Sequence, residues 1–204
     1  MNSYHIVLVI LLSTCVALSI QDELKVSVYY ESLCPDSVRF IKEQLTPTYK
    51  SLKSIFTADL IPYGKAIQNQ ENGKWVFQCQ HGARECYGNK MQACALQQDV
   101  GDEKKIAFVD CVMRQNDPSQ PASGGKCASN VGLAWESIRA CTNSAAGDDI
   151  LAAMGDRTHA VEPQISFVPT VIFNSTYDDD LQWKAIKNLR QVICNLQGNP
   201  DICG

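Results

Sequence analysis

The sequence predicts an α/β fold interrupted by a disulfide-rich, mainly helical insertion. Three observations predict it. An alternating apolar segment, Leu24 to Tyr30, ends at a cysteine corner that opens a helical pattern. A proline-led apolar segment, then a turn and an amphipathic stretch, closes the chain. Between the two, residues 79–160 gather cysteines among helical periodicities.

Residues 1–19 read as a cleaved signal peptide. Ile6 to Leu12 is unbroken apolar sequence, and Ala17-Leu18-Ser19 offers small residues for cleavage after Ser19. The run is too short to cross a bilayer and no later segment is apolar enough, so no membrane span is expected after cleavage. Leu24, Val26, Val28 and Tyr30 share one face of a first strand. Past Cys34, the residues Val38, Ile41 and Leu45 recur at helical spacing. Pro35 suits the first helical turn, where its missing N–H costs nothing, and Pro47 is expected to stop or kink the helix. Thr57 to Pro62 reads as a second strand, Gln68 to Lys74 as a loop, and Trp75 to Phe77 as a short strand.

In the insertion, Met91/Cys94/Ala95, Ile106/Val109/Met113, Leu133 to Cys141 and Ile150 to Met154 read as helices. Asp117 to Lys126, rich in Pro and Gly, reads as a loop. A strand over Val168 to Phe173, a turn over 174–180 with a solvated Asp178-Asp179-Asp180 run, and a helix over Leu181 to Leu196 follow. This order is that of a thioredoxin-like fold, in two parts at 20–78 and 161–204, with an antiparallel hairpin expected at one end.

The 204 residues carry a net charge of −4 and no basic stripe, so no nucleic-acid partner is expected. Ten cysteines are present. With Cys15 removed in the leader, an odd number enters an oxidising compartment, so at least one thiol stays free or joins another molecule. Cys34 is the natural odd one out. Cys79, Cys86, Cys94, Cys111, Cys127, Cys141, Cys194 and Cys203 are then expected in disulfides, with connectivity open. Zinc on Cys79, Cys86, Cys94 and His81 is disfavoured, because the spacings are wider than those of usual zinc pairs. No metal and no cofactor are expected. His81 and Glu85, four apart, suggest a capping or packing pair, and His159 a surface residue.

A cysteine at a helix N-terminus faces free backbone N–H groups and the positive end of the helix dipole. Both favour the thiolate that attacks disulfides, whereas Asp36 nearby opposes it. Position 37, one helical turn on, would hold the second thiol of a dithiol site; here it is Ser37. A hydroxyl cannot expel the substrate from a mixed disulfide, so the site is expected to be monothiol and to need an outside thiol for release. Val168 and Pro169 are expected to face Cys34 and line the substrate path, with Pro169 cis. Asn174-Ser175-Thr176 is an N-glycosylation sequon in an expected turn.

The stretch from Cys79 to Cys94 matches CQHGxxECxxNxxxxC and resembles the signature of the gamma-interferon-inducible lysosomal thiol reductase (GILT) family. Ile61-Pro62-Tyr63-Gly64, Trp75 with Phe77, Met154-Gly155-Asp156-Arg157 and the Val168-Pro169 strand are also similar to that family. The resemblance covers about residues 25 to 203. It implies a thioredoxin fold with a disulfide-rich insertion, export, and reduction of protein disulfides in acidic compartments. Two positions depart from the pattern. Only the first reactive cysteine is matched, at Cys34, and Thr170 stands where the family commonly has tryptophan, which would remove an aromatic wall beside the substrate path.

The expected function is that of a secreted GILT-like protein, poor or inactive as a dithiol reductase, acting mainly by binding a partner protein or cell surface. The alternative is a thiol oxidoreductase working through Cys34 with an external thiol. A mixed disulfide or dimer through Cys34 is a possible complex. Release outside the cell is the expected location, with lysosomal or endosomal delivery as the alternative.

Overall fold

The computed structural model describes residues 23–198 and Cys203; the signal peptide expected at 1–19 lies outside the described residues. The central strand is β1 (Leu24–Tyr30). It pairs in parallel with β2 (Phe56–Pro62), Leu24 opposite Phe56, and antiparallel with β5 (Thr170–Phe173), Tyr29 opposite Thr170. The sheet order is β2-β1-β5. The alternation read in β1 sorts its side chains between two apolar clusters. Leu24, Val26, Val28 and Tyr30 enter the larger one, with Val171 and Phe173 of β5. Tyr29 turns to the smaller one, with Ile61, Tyr63 and Ile172. A strand buried on both faces is thereby fixed in register, since a slip of one residue would exchange the two sets.

Helix α1 (Pro35–Phe40) runs through a π-helical turn (Ile41–Leu45) into α2 (Thr46–Leu52). Pro47 does not end the helix: it sits in the first turn of α2, just after the π-helical turn. The hairpin β3 (Ile67–Glu71) and β4 (Lys74–Gln78) occupies most of the expected 68–74 loop. Its turn is Asn72-Gly73, both at positive φ, the pair that a two-residue hairpin turn favours. The segment was polar because the hairpin is largely exposed, not because it lacks structure.

The insertion is a stack of helices: α3 (Ala83–Leu96), α4 (Asp102–Met113), α5 (Pro121–Val131), α6 (Trp135–Thr142) and α7 (Ala145–His159). The loop expected over Asp117 to Lys126 is cut short by α5, which starts at Pro121. Gly124 and Gly125, read as loop formers, lie instead beneath the Trp135 ring. Three bridges staple this region: Cys79–Cys86, Cys94–Cys141 and Cys111–Cys127. A fourth, Cys194–Cys203, ties down the end of α8 (Asp179–Gln197). The exposed run Asp178 to Asp180 also starts α8: Asp178 caps it, accepting the Leu181 N–H at 2.8 Å, and Asp179 and Asp180 occupy the favourable first turn. The expected closing hairpin is reduced to one bridge between Phe173 and Thr176. Among the described residues no helix is long and apolar enough to cross a membrane.

Asp59 on β2 joins three elements, accepting from Lys25 of β1 at 2.9 Å and from Arg157 of α7. Burial alone would raise its carboxyl, but the hydrogen bonds and charges of Lys25 and Arg157 outweigh it and hold Asp59 below the usual carboxylate range. Stability from a lowered carboxyl is present in full above the unfolded range and lost as pH falls through the folded one. Asp59→Asn should therefore cost about 2 kcal/mol at neutral pH. The gap to wild type should close in strongly acidic solution, as read by urea denaturation across pH.

Candidate active site

Strand β1 ends at Tyr30, and residues 31–34 form a tight corner into α1. Cys34 is the N-cap residue of α1, with extended backbone (φ −68°, ψ 122°), and its carbonyl accepts the Val38 N–H at 2.9 Å. Pro35 follows in the first turn. The thiol is free and only 9% exposed. Its Sγ lies 3.8 Å from the carbonyl oxygen of Val168. The Val168–Pro169 peptide bond is cis. The corner and the proline strand, 134 positions apart in sequence, thus face each other as the order of elements requires. Asp36, expected to crowd the sulfur with charge, is drawn into an ion pair with Arg39 at 2.5 Å.

Ser37 is fully buried. Its Oγ accepts the Glu31 N–H at 3.3 Å, so the hydroxyl staples the end of β1 to the first turn of α1. Among the described residues it makes no hydrogen bond to Cys34. Thr170 is also buried, and its hydroxyl donates to the Phe167 carbonyl at 2.5 Å. The threonine at position 170 is thus packed inside the protein, bonded to its own loop. The aromatic surface beside this loop is the tilted pair Phe167 and Trp183, ring centroids 5.1 Å apart.

The signature residues of α3 support the corner from behind. Asn89 Oδ1 accepts the Ser32 N–H at 2.8 Å, and its amide donates to the Tyr63 carbonyl. Ser32 Oγ donates to the Glu85 carbonyl at 3.2 Å. Gln92 Oε1 accepts the Tyr30 hydroxyl at 2.7 Å. Gly88 lets the helix come this close, since a Cβ there would lie 2.5 Å from Ser32 Oγ. His81 and Glu85 do not share a helix face, because His81 precedes α3. Glu85 reaches back to accept the His81 N–H at 3.1 Å and to meet its Nδ1 at 2.6 Å. Burial, opposed by the Lys65 N–H and reinforced by the charge of Glu85, pushes the Glu31 carboxyl above its usual range.

The family model described as gamma interferon inducible lysosomal thiol reductase (GILT) matches residues 25–131. A GILT-like protein of Anopheles gambiae is 39% identical, over 90% of this chain and 81% of that protein. The chain belongs to the GILT family. A GILT of Mus musculus is 33% identical, over 88% of this chain and 71% of its own length. Among solved structures, the Chlamydia trachomatis DsbA superposes with a TM-score of 0.61 at 13% identity, over 86% of this chain and 87% of that one. That likeness establishes the thioredoxin-like fold. At the family level the GILT chain is a thiol oxidoreductase.

In this GILT fold the eight expected cysteines form four bridges and leave Cys34 alone. Pairing of Cys79 with Cys86 and of Cys94 with Cys141 leaves no thiolate there for a metal. His159 is exposed, edge-on to Tyr63. Asn174 is exposed at the far end of the sheet from Cys34, beside Lys25. Sequence reasoning missed Gln182, whose Oε1 accepts the Val171 N–H at 2.6 Å while its Nε2 donates to the Pro169 carbonyl at 2.9 Å. A lone glutamine on an amphipathic helix carries no pattern that marks it. Gln182→Ala would orphan two buried backbone groups facing the proline strand. It should lower stability by about 2–3 kcal/mol, seen as a reduced urea midpoint.

Proposed function

We propose that the protein is a monothiol thiol–disulfide exchanger. The observation that carries this is a free cysteine at the mouth of α1, facing the Val168 carbonyl, with a buried and already bonded Ser37 in place of a second thiol. The Cys34 thiolate attacks one sulfur of a protein disulfide, forming a Cys34–substrate disulfide and releasing the other substrate sulfur as thiolate. A small-molecule thiolate then attacks that mixed disulfide and frees the substrate. A second such thiol regenerates Cys34 and leaves as the small-molecule disulfide. Two small thiols are oxidised for each substrate disulfide reduced.

The burial of Cys34 favours a second reading, in which the chain acts chiefly by holding a partner protein, covalently through Cys34 or through the surface around it. Both readings place the chain in the secretory pathway on the strength of the leader at 1–19. Release outside the cell is the first expectation and endosomal or lysosomal delivery the second; the names of the Carassius auratus and Mus musculus relatives call those proteins lysosomal. A glycan at Asn174 is compatible with either. Its Oδ1 accepts the Lys25 N–H at 3.0 Å, and the amide nitrogen that a glycan would use is not part of that bond.

Reduction of a denatured disulfide substrate should depend on added glutathione and fall to background in Cys34→Ser. Ser37→Cys should turn over with a stronger reductant through an internal disulfide. Activity retained in Cys34→Ser would sink the exchanger. A silent wild type beside an active Ser37→Cys would favour the binding reading.

A further inference from the structure

Behind the Cys34 corner, Glu31 and Glu85 place fully buried carboxylates on either side of the half-exposed His81. Each carboxylate is anchored by one oxygen to a backbone N–H: Glu31 Oε1 accepts from Lys65 at 2.8 Å, and Glu85 Oε1 from His81 at 3.1 Å. Each leaves its Oε2 turned to the same place. Glu31 Oε2 is buried and has no hydrogen-bond partner, and it stands 3.6 Å from His81 Nδ1. The three donor atoms lie within 4.8 Å of one another.

The backbone holds this arrangement. His81 projects from the short loop closed by Cys79–Cys86, which turns at Gly82 (φ +81°). Glu31 lies along Gly64, where a Cβ would fall 2.1 Å from its Cγ. Two buried carboxyl groups thus share one imidazole, and the Glu31 Oε2 aimed at it has no hydrogen-bond partner of its own, a costly state for a buried polar atom.

We propose that Glu31, His81 and Glu85 form a binding site for a divalent transition-metal cation of the zinc type. Donors at about 2.0–2.2 Å from a tetrahedral zinc are about 3.4 Å apart. The Glu31–His81 separation already suits this. The His81–Glu85 contact of 2.6 Å must open by a small movement of the exposed imidazole. One nitrogen and two carboxylate oxygens favour zinc over magnesium or calcium, which prefer all-oxygen shells. The two backbone N–H anchors are the outer contacts that orient carboxylate ligands. The site differs from the cysteine-based zinc considered from sequence and does not rest on the exchange chemistry of Cys34.

The test is a zinc titration of the disulfide-intact full chain carrying Cys34→Ser, so that no free thiol competes, by calorimetry and by competition with a chromophoric chelator. One zinc per chain is expected, with a raised melting temperature and no comparable response to magnesium. Adding His81→Ala, or the near-isosteric Glu31→Gln, should weaken binding at least about 100-fold, beyond the effect usual for outer-shell changes. Cobalt substitution should give the absorption of a low-coordinate site. The proposal is overturned by no saturable binding in the Cys34→Ser chain, or by binding that survives both His81→Ala and Glu31→Gln. Circular dichroism identifies the folded variants; if Glu31→Gln does not fold, His81→Ala alone decides.

Discussion

Everything at the reactive corner depends on one buried polar seam, the contact of α3 with residues 30–32. Tyr30 donates to Gln92, Ser32 donates from its backbone to Asn89 and from its hydroxyl to the Glu85 carbonyl. Asn89, Glu85 and Gln92 are all fully buried. Buried polar groups are costly when unpaired, so such a seam closes in essentially one arrangement. That arrangement fixes where β1 stops and where α1 begins, and therefore where Cys34 stands. The seam also explains why the insertion belongs to the site although it carries no reactive group. It is the wall against which the corner is set, and its bridges Cys79–Cys86 and Cys94–Cys141 bracket the stretch of α3 that makes the contact.

Ser37 is more than a missing sulfur in this setting. Its hydroxyl accepts the Glu31 N–H, a backbone group that would otherwise be buried near the strand end. A thiol is a weaker acceptor and larger. The serine therefore gives the corner a satisfied backbone group. Around it stand the cysteine at the helix mouth, the proline strand opposite, and Gln182 clamping that strand from α8.

The strands and the larger helices were legible because they are buried on a definite face, and burial writes itself into periodicity. Leu24, Val26, Val28 and Tyr30 alternate in sequence because they share one cluster. Strand β4 was legible at Trp75 to Phe77, but β3 and the hairpin turn were not, since most of that segment faces solvent and its polar residues read as loop. Helix α5 was missed altogether because glycines serve two purposes: Gly124 and Gly125 look like chain flexibility and act as clearance for Trp135. At the site, Cys34, Ser37 and Pro169 were legible from chemistry and order. Glu31 and Gln182 were not, because the partners that give them meaning are 34 and 11 or more positions away in sequence.

Thr170 is a departure from the family pattern that lies inside the protein. In β5 successive side chains face opposite sides, and the chain enters the strand from Pro169 with Thr170 turned to the interior. A small residue there changes internal packing, and its hydroxyl settles on the Phe167 carbonyl. The residues that can meet a partner are those on the outside of the same loop. Trp183 is 42% exposed and leans on Phe167, one position before Val168, whose carbonyl faces the sulfur. The departure at position 170 and the retained aromatic surface are therefore separate matters. Of the two departures from the family pattern, only the one at position 37 puts a hydroxyl where a second sulfur was expected.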